Sequence, residues 1–151
     1  MMKARAKLVD GVAFMVHADS GHGIVVDGSE AIGGRNLGPR PMELVLQGLA
    51  TCSAMDVISM LRKGREDVTD LTIDVQAERA EDFPKVFTKI HVHYEVEGRG
   101  LRERYVQRAV NLSMEKYCSV TKMLEHTATI THDFHITDLA AEAAGDAAEQ
   151  G

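Results

Sequence analysis

Cys52 and Cys118 are the only two cysteines in the 151-residue chain, and their thiols are the strongest nucleophiles it offers. They lie too far apart in sequence for a CxxC redox motif or a zinc knuckle, so any partnership between them has to be made by the fold. Cys52 sits in the middle of an apolar helical run, PMELVLQGLATCSAMDVISMLRKG. Its neighbours Ala50, Thr51, Ser53 and Ala54 are small enough to leave a peroxide-sized molecule access to sulfur. Cys118 ends one helical stretch and opens another in LSMEKYCSVTKMLEH. A thiol at a helix N-terminus faces unpaired N–H groups and the positive dipole end, which favour thiolate. The competing reading is that both are small buried hydrophobes, a common fate of free cysteine.

Other chemistry-bearing residues are weaker signals. His91 and His93 alternate on one predicted strand and share a face, but two histidines without a third ligand at a defined spacing do not make a metal site, and none is expected. They read as solvent-facing residues of a half-wet sheet. His132 and His135, three apart on a later strand, should face opposite sides. Ser53 and Ser119 have no local acid–base partner and there is no GxSxG elbow. GGRNLG lacks the preceding strand, lysine and spacing of a phosphate loop, so no cofactor is expected.

The elements that must position the thiols follow from periodicity and turn chemistry. Lys3 to Val9, a second strand after Asp10-Gly11, and Ile24 to Val26 read as a three-stranded meander. Ser29 to Arg40, with Gly33, Gly34, Gly38 and Pro39, reads as the most mobile internal loop. Pro41 suits the first position of a helix running to about Lys63, with Gly64 as its left-handed cap. Apolar residues occupy nearly every azimuth of that helix, so it should be buried nearly all round, and Gly48 should admit a crossing backbone. Val68 to Ala80 and Val86 to Glu97 alternate as antiparallel strands. An amphipathic helix from Leu101 to Lys116, a short helix from Ser119 and a strand from Ala128 to Ile136 complete the order β-β-β-α-β-β-α-α-β, an α+β fold. One domain is expected over 1–138, with an Ala/Glu-rich frayed tail over 139–151.

Charge and hydropathy narrow the class further. A net charge of −6 without a clustered basic surface argues against nucleic acid. The N-terminus lacks a signal-peptide h-region, and no stretch approaches the ~18 apolar residues of a membrane span, so a cytoplasmic protein is expected. In that compartment two cysteines mean reduced core residues or thiols that cycle.

The helix-centred Cys52, the loop ending in GPRP, and Cys118 within EKYCSVTKML together resemble the OsmC/Ohr family of thiol proteins, in its YhfA-like branch. The similarity covers roughly Met2 to Ile136. The resemblance implies an intertwined homodimer, with antiparallel sheets around long central helices and two sites at the subunit interface. It implies a thiol-dependent reductase of organic hydroperoxides, in which the thiol at Cys52 attacks peroxide and Cys118 resolves the product to a disulfide. A dithiol or lipoylated protein would then reduce that disulfide. The family also places a guanidinium beside the first sulfur and a carboxylate that orients it.

On that last point the chain departs from the pattern. The family glutamate falls ten positions before the cysteine; here Met42 stands there and Glu43 follows. The supporting residues implied are Glu43 with Arg40 or Arg35, and Arg5 also remains open. The alternative is a non-peroxidatic dimer that binds a small apolar or thiol molecule, with cysteines that are structural or redox-sensing.

Overall fold

The computed structural model describes residues 1–140; residues 141–151, most of the expected tail, lie outside the described residues. Backbone proximity divides the chain into two compact units, residues 1–47 and Gly48 onward.

The first unit is built on β1 (Ala4–Asp10), β2 (Ala13–Ala18) and β3 (Gly23–Val26), an antiparallel meander in sequential order. Gly11 adopts φ +54°, the left-handed conformation that its place in the β1–β2 turn requires. The loop that follows β3 is better tied than its glycines imply. Asp27 is buried, and its carboxylate accepts the backbone N–H groups of Gly28 at 2.8 Å, Arg35 at 2.9 Å and Leu37 at 3.2 Å. The Arg35 and Leu37 N–H bonds hold this carboxyl below its ordinary value. A Cβ at Gly38 would run into the Val25 carbonyl, so the loop lies directly on β3.

α1 (Pro41–Lys63) begins where proline costs no hydrogen bond. It ends in a Schellman arrangement: Glu66 N–H donates to the Leu61 carbonyl and Arg65 N–H to that of Arg62, each at 3.0 Å. The left-handed residue is Arg65, at φ +57°, and not the expected Gly64. Glu66 is buried there and accepts from Arg102 through its backbone N–H at 2.9 Å and its Nε at 2.7 Å, which ties the end of α1 to the start of α2.

The second unit contains β4 (Asp67–Arg79), β5 (Phe87–Arg99), α2 (Glu103–Leu112), α3 (Ser119–Leu124) and β6 (Thr129–Asp138). β5 is central, antiparallel to β4 and parallel to β6. The expectation of wholly antiparallel sheets is corrected here. No hairpin joins β5 to β6; the chain travels back through α2 and α3 before β6 begins, and such a crossover sets the two strands parallel.

Alternation gives β5 two distinct faces. Ile90, Val92, Tyr94 and Val96 are buried on one, while His91, His93 and Glu95 are on the other. In register, β6 places His132 on the inner face, where Asn111 Oδ1 of α2 lies 3.1 Å from its Nε2, and His135 on the outer face.

α1 is not buried all round in the single chain. Its buried residues are Leu49, Ser53, Val57 and Leu61, one stripe at four-residue spacing, and Met55 is 70% exposed. A three-stranded sheet with one crossover can cover only one side of a 23-residue helix. Among the described residues nothing lies within 4 Å of the position of a Gly48 Cβ. By length and composition α1 is apolar enough to cross a membrane, which corrects the expectation that no stretch approaches a span; its stripe of Leu49, Ser53, Val57 and Leu61 is buried in the second unit.

Candidate functional site

The two thiols are brought together by a local irregularity. α2 stops at Leu112, and residues Ser113–Tyr117 form a π turn in which Cys118 N–H donates to the Ser113 carbonyl at 2.8 Å. Such single π turns recur at functional sites because they re-aim a side chain without ending the helical run. Cys118 then caps α3, its sulfur accepting the Thr121 N–H at 3.5 Å. Cys52, on α1 beside the buried stripe, is half-exposed; Cys118 is fully buried. Cys52 lies near enough to Cys118 to act on its thiol.

The expectation that the start of a helix lowers the pKa of Cys118 is overturned. Burial pushes this thiol above its ordinary value; the Thr121 bonds act in the opposite direction, and the neighbouring Cys52 adds to the rise. α3 has only six residues, and its dipole does not offset the loss of solvent. Cys118 is therefore held as a neutral thiol at neutral pH.

A buried polar network not anticipated from the sequence holds the thiols' supports together. Ser53 Oγ hydrogen-bonds the Tyr94 hydroxyl and, at 2.9 Å, Ser113 Oγ. Ser113 donates onward to Asp56 Oδ2 at 3.2 Å. Met114 sulfur accepts from Ser53 at 3.9 Å and from Thr121 at 3.7 Å. Burial pushes the Tyr94 phenol up to about 12, so it stays protonated and available as a donor. One signal was present in the sequence: Ser53 sits between Leu49 and Val57, a hydroxyl at a core position of an apolar stripe, which requires a partner.

The residues expected to support the first thiol lie in the first unit. Arg40 and Glu43 do meet, with Arg40 Nη1 donating to Glu43 Oε1 at 3.1 Å. Glu43 Oε2 also accepts the Arg40 backbone N–H at 2.9 Å. This is the glutamate half of a capping box at the start of α1. That backbone bond, and then the guanidinium, lowers the Glu43 pKa. Arg35 instead pairs with Asp10 at 2.8 Å. A cavity of about 580 Å³ is lined by Met114 and Thr121, together with Glu115, His126 and His132.

The chain is similar to known proteins in sequence and in fold. The sequence model of OsmC-like proteins matches residues 33–133. The chain is 46% identical to Protein YhfA of Escherichia coli over 135 residues, which covers 89% of this chain and 98% of that protein. A hypothetical protein from Aquifex aeolicus is similar in structure, with TM-score 0.76 and 28% identity over 91% of this chain and 98% of that one. The organic hydroperoxide resistance protein OhrB of Bacillus subtilis has TM-score 0.58 and 22% identity over 89% of this chain and 98% of its own, a likeness of fold.

The network yields an ordered stability test. Ser53→Ala leaves the buried Tyr94 phenol without its partner and should cost about 1–3 kcal/mol, whereas Tyr94→Phe leaves Ser53 bonded to Ser113 and removes a bond worth about 0.5–1.5 kcal/mol. Urea denaturation of both variants checks this; equal stability of Ser53→Ala and the parent chain would contradict the assigned network.

Proposed function

The chain belongs to the OsmC-like protein family, and from that premise we propose that it is a thiol-dependent reductase of organic hydroperoxides, with Cys52 as the attacking and Cys118 as the resolving thiol. The observation that carries this reading is a half-exposed thiol beside a fully buried one, each acting on the other. Only the outer sulfur can be reached by a hydroperoxide, and only the inner one is poised to condense with the product.

In this reading the Cys52 thiolate attacks the distal peroxide oxygen. The O–O bond breaks, the departing alkoxide takes a proton, and sulfur becomes a sulfenic acid. The Cys118 sulfur then displaces hydroxide from that acid, forming the disulfide and releasing water. An external dithiol or lipoylated protein restores both thiols by exchange. Burial holds Cys118 protonated, so the second step needs a base or a movement that admits water. The supporting residues remain Glu43 with Arg40 or Arg35; within the first unit Arg40 pairs with Glu43 and Arg35 with Asp10. The reading is one for a reducing compartment, the cytoplasm, where such thiols are regenerated.

We also propose that the working form is a homodimer. α1 leaves Met55 and the surface around Gly48 uncovered, and the meander exposes Leu8, Val9, Phe14, Met15 and Ile24. A second copy would cover these; obligate interfaces commonly bury more than ~2,000 Å². Sedimentation of the full chain at micromolar concentration should give a dimer, and a folded monomer would remove this part of the proposal.

One observation favours a second reading, a dimer that binds a small apolar or thiol molecule without turning over peroxide. Met42 replaces the family glutamate, and Glu43 is occupied at the helix cap. The cysteine variants separate the two. Cys52→Ser should abolish dithiol-dependent reduction of cumene hydroperoxide, because a hydroxyl supplies almost no nucleophile at neutral pH. Cys118→Ser should consume one equivalent and then accumulate a trappable sulfenic acid at Cys52. Equal, slow consumption by the parent chain and Cys52→Ser would favour the binding reading.

A further inference from the structure

The outer face of β5 carries a cluster that the thiol chemistry does not use. Parallel pairing sets Asp133 of β6 beside His93, and Thr131 beside His91. His93 Nδ1 lies 2.5 Å and His91 Nε2 3.3 Å from the same atom, Asp133 Oδ1. The opposite ring nitrogens are each engaged separately: His91 Nδ1 with Thr131 Oγ1 at 2.8 Å, and His93 Nε2 with Glu95 Oε1 at 2.8 Å. From the other side, register places Asp74 of β4 opposite His93, and His135 of β6 stands next to Glu95. The three inward-pointing donor atoms all lie within 4.8 Å of one another.

We propose that His91 Nε2, His93 Nδ1 and an Asp133 oxygen form a binding site for a divalent transition-metal ion of the zinc and copper class. The spacing fits. Zinc bonds to nitrogen and oxygen at 2.0–2.2 Å set tetrahedral ligand atoms about 3.3 Å apart. The His91 to Asp133 distance already has that value, and the His93 to Asp133 contact has to open by under about 1 Å, within reach of a side-chain rotation.

The second layer also fits. Metal-bound histidines characteristically donate their other ring N–H to a carboxylate or another polar oxygen, which fixes tautomer and orientation, and Glu95 and Thr131 are placed to accept in this way. Without metal, the bonds of His93 to two carboxylates favour its imidazolium and raise its pKa. The ion would displace the Nδ1 proton and leave the Nε2–H on Glu95. Two imidazoles select zinc, copper or nickel over magnesium and calcium, which prefer all-oxygen shells. The side chains of His91, His93 and Asp133 are 43%, 31% and 60% exposed, so the remaining coordination positions stay open to water or to an added ligand. The site lies on the opposite face of β5 from Tyr94 and the thiols.

The direct test is equilibrium dialysis of the tag-free full chain against micromolar zinc, together with ring-nitrogen NMR of its histidines. One zinc per chain should bind, shifting the rings of His91 and His93 while His17, His22, His126 and His132 stay in place. Excess magnesium should not compete. His93→Gln and Asp133→Asn should each weaken binding at least tenfold, and Glu95→Gln should also weaken it, as loss of an outer partner does. Failure to bind zinc, or binding that leaves the His91 and His93 rings unmoved, overturns the proposal. The NMR readout on the unaltered chain also identifies zinc held by the thiols, which would count against it.

Discussion

The Ser53 hydroxyl is the point on which the second unit depends. It lies on the buried stripe of α1, meets the Tyr94 phenol of β5, and meets Ser113 at the opening of the π turn. A serine there holds three segments in a single register, which an alanine could pack against but could not orient. The next residue on one segment side is Cys52, and the π turn that begins at Ser113 ends at Cys118. The placement of both sulfurs therefore follows from one buried hydrogen-bonded junction, closed by Asp56 at its edge. Burial raises both the Tyr94 phenol and the Cys118 thiol, so each stays protonated at neutral pH.

Much of the fold was legible in local chemistry. Asp10-Gly11 marked the first turn, Pro41 marked the start of α1, and two-residue alternation separated β5 into an apolar and a polar face. What local chemistry could not carry was direction and register. Alternation is identical in parallel and antiparallel strands, so the parallel placement of β6 was invisible, and with it the arrival of Asp133 beside His93. The two histidines looked like an incomplete set because the third donor comes from forty residues away.

The electrostatics of the candidate site were not legible in the sequence. The position of Cys118 at a helix start suggested a depressed pKa, but the sequence does not reveal whether that start is wet. Burial decided the sign. Asp27 shows the same limit from the other side: a glycine-rich loop read as mobile is organised by one buried carboxylate that collects three backbone N–H groups. The stripe of α1 is a third case, since a helix apolar on nearly all faces can have only one of them covered within its own chain.

The central claim is that Cys52 and Cys118 form one working pair, and the most direct measurement is a disulfide map. Fully reduced, tag-free chain is treated with one equivalent of cumene hydroperoxide, its remaining thiols are alkylated, and it is digested without reductant for peptide mass analysis. The account predicts a single linked species joining the Cys52 and Cys118 peptides, in protein that migrates as one chain on a non-reducing gel. Alkylated Cys118 alongside a Cys52 that is over-oxidised, or bonded only to another chain, would contradict it.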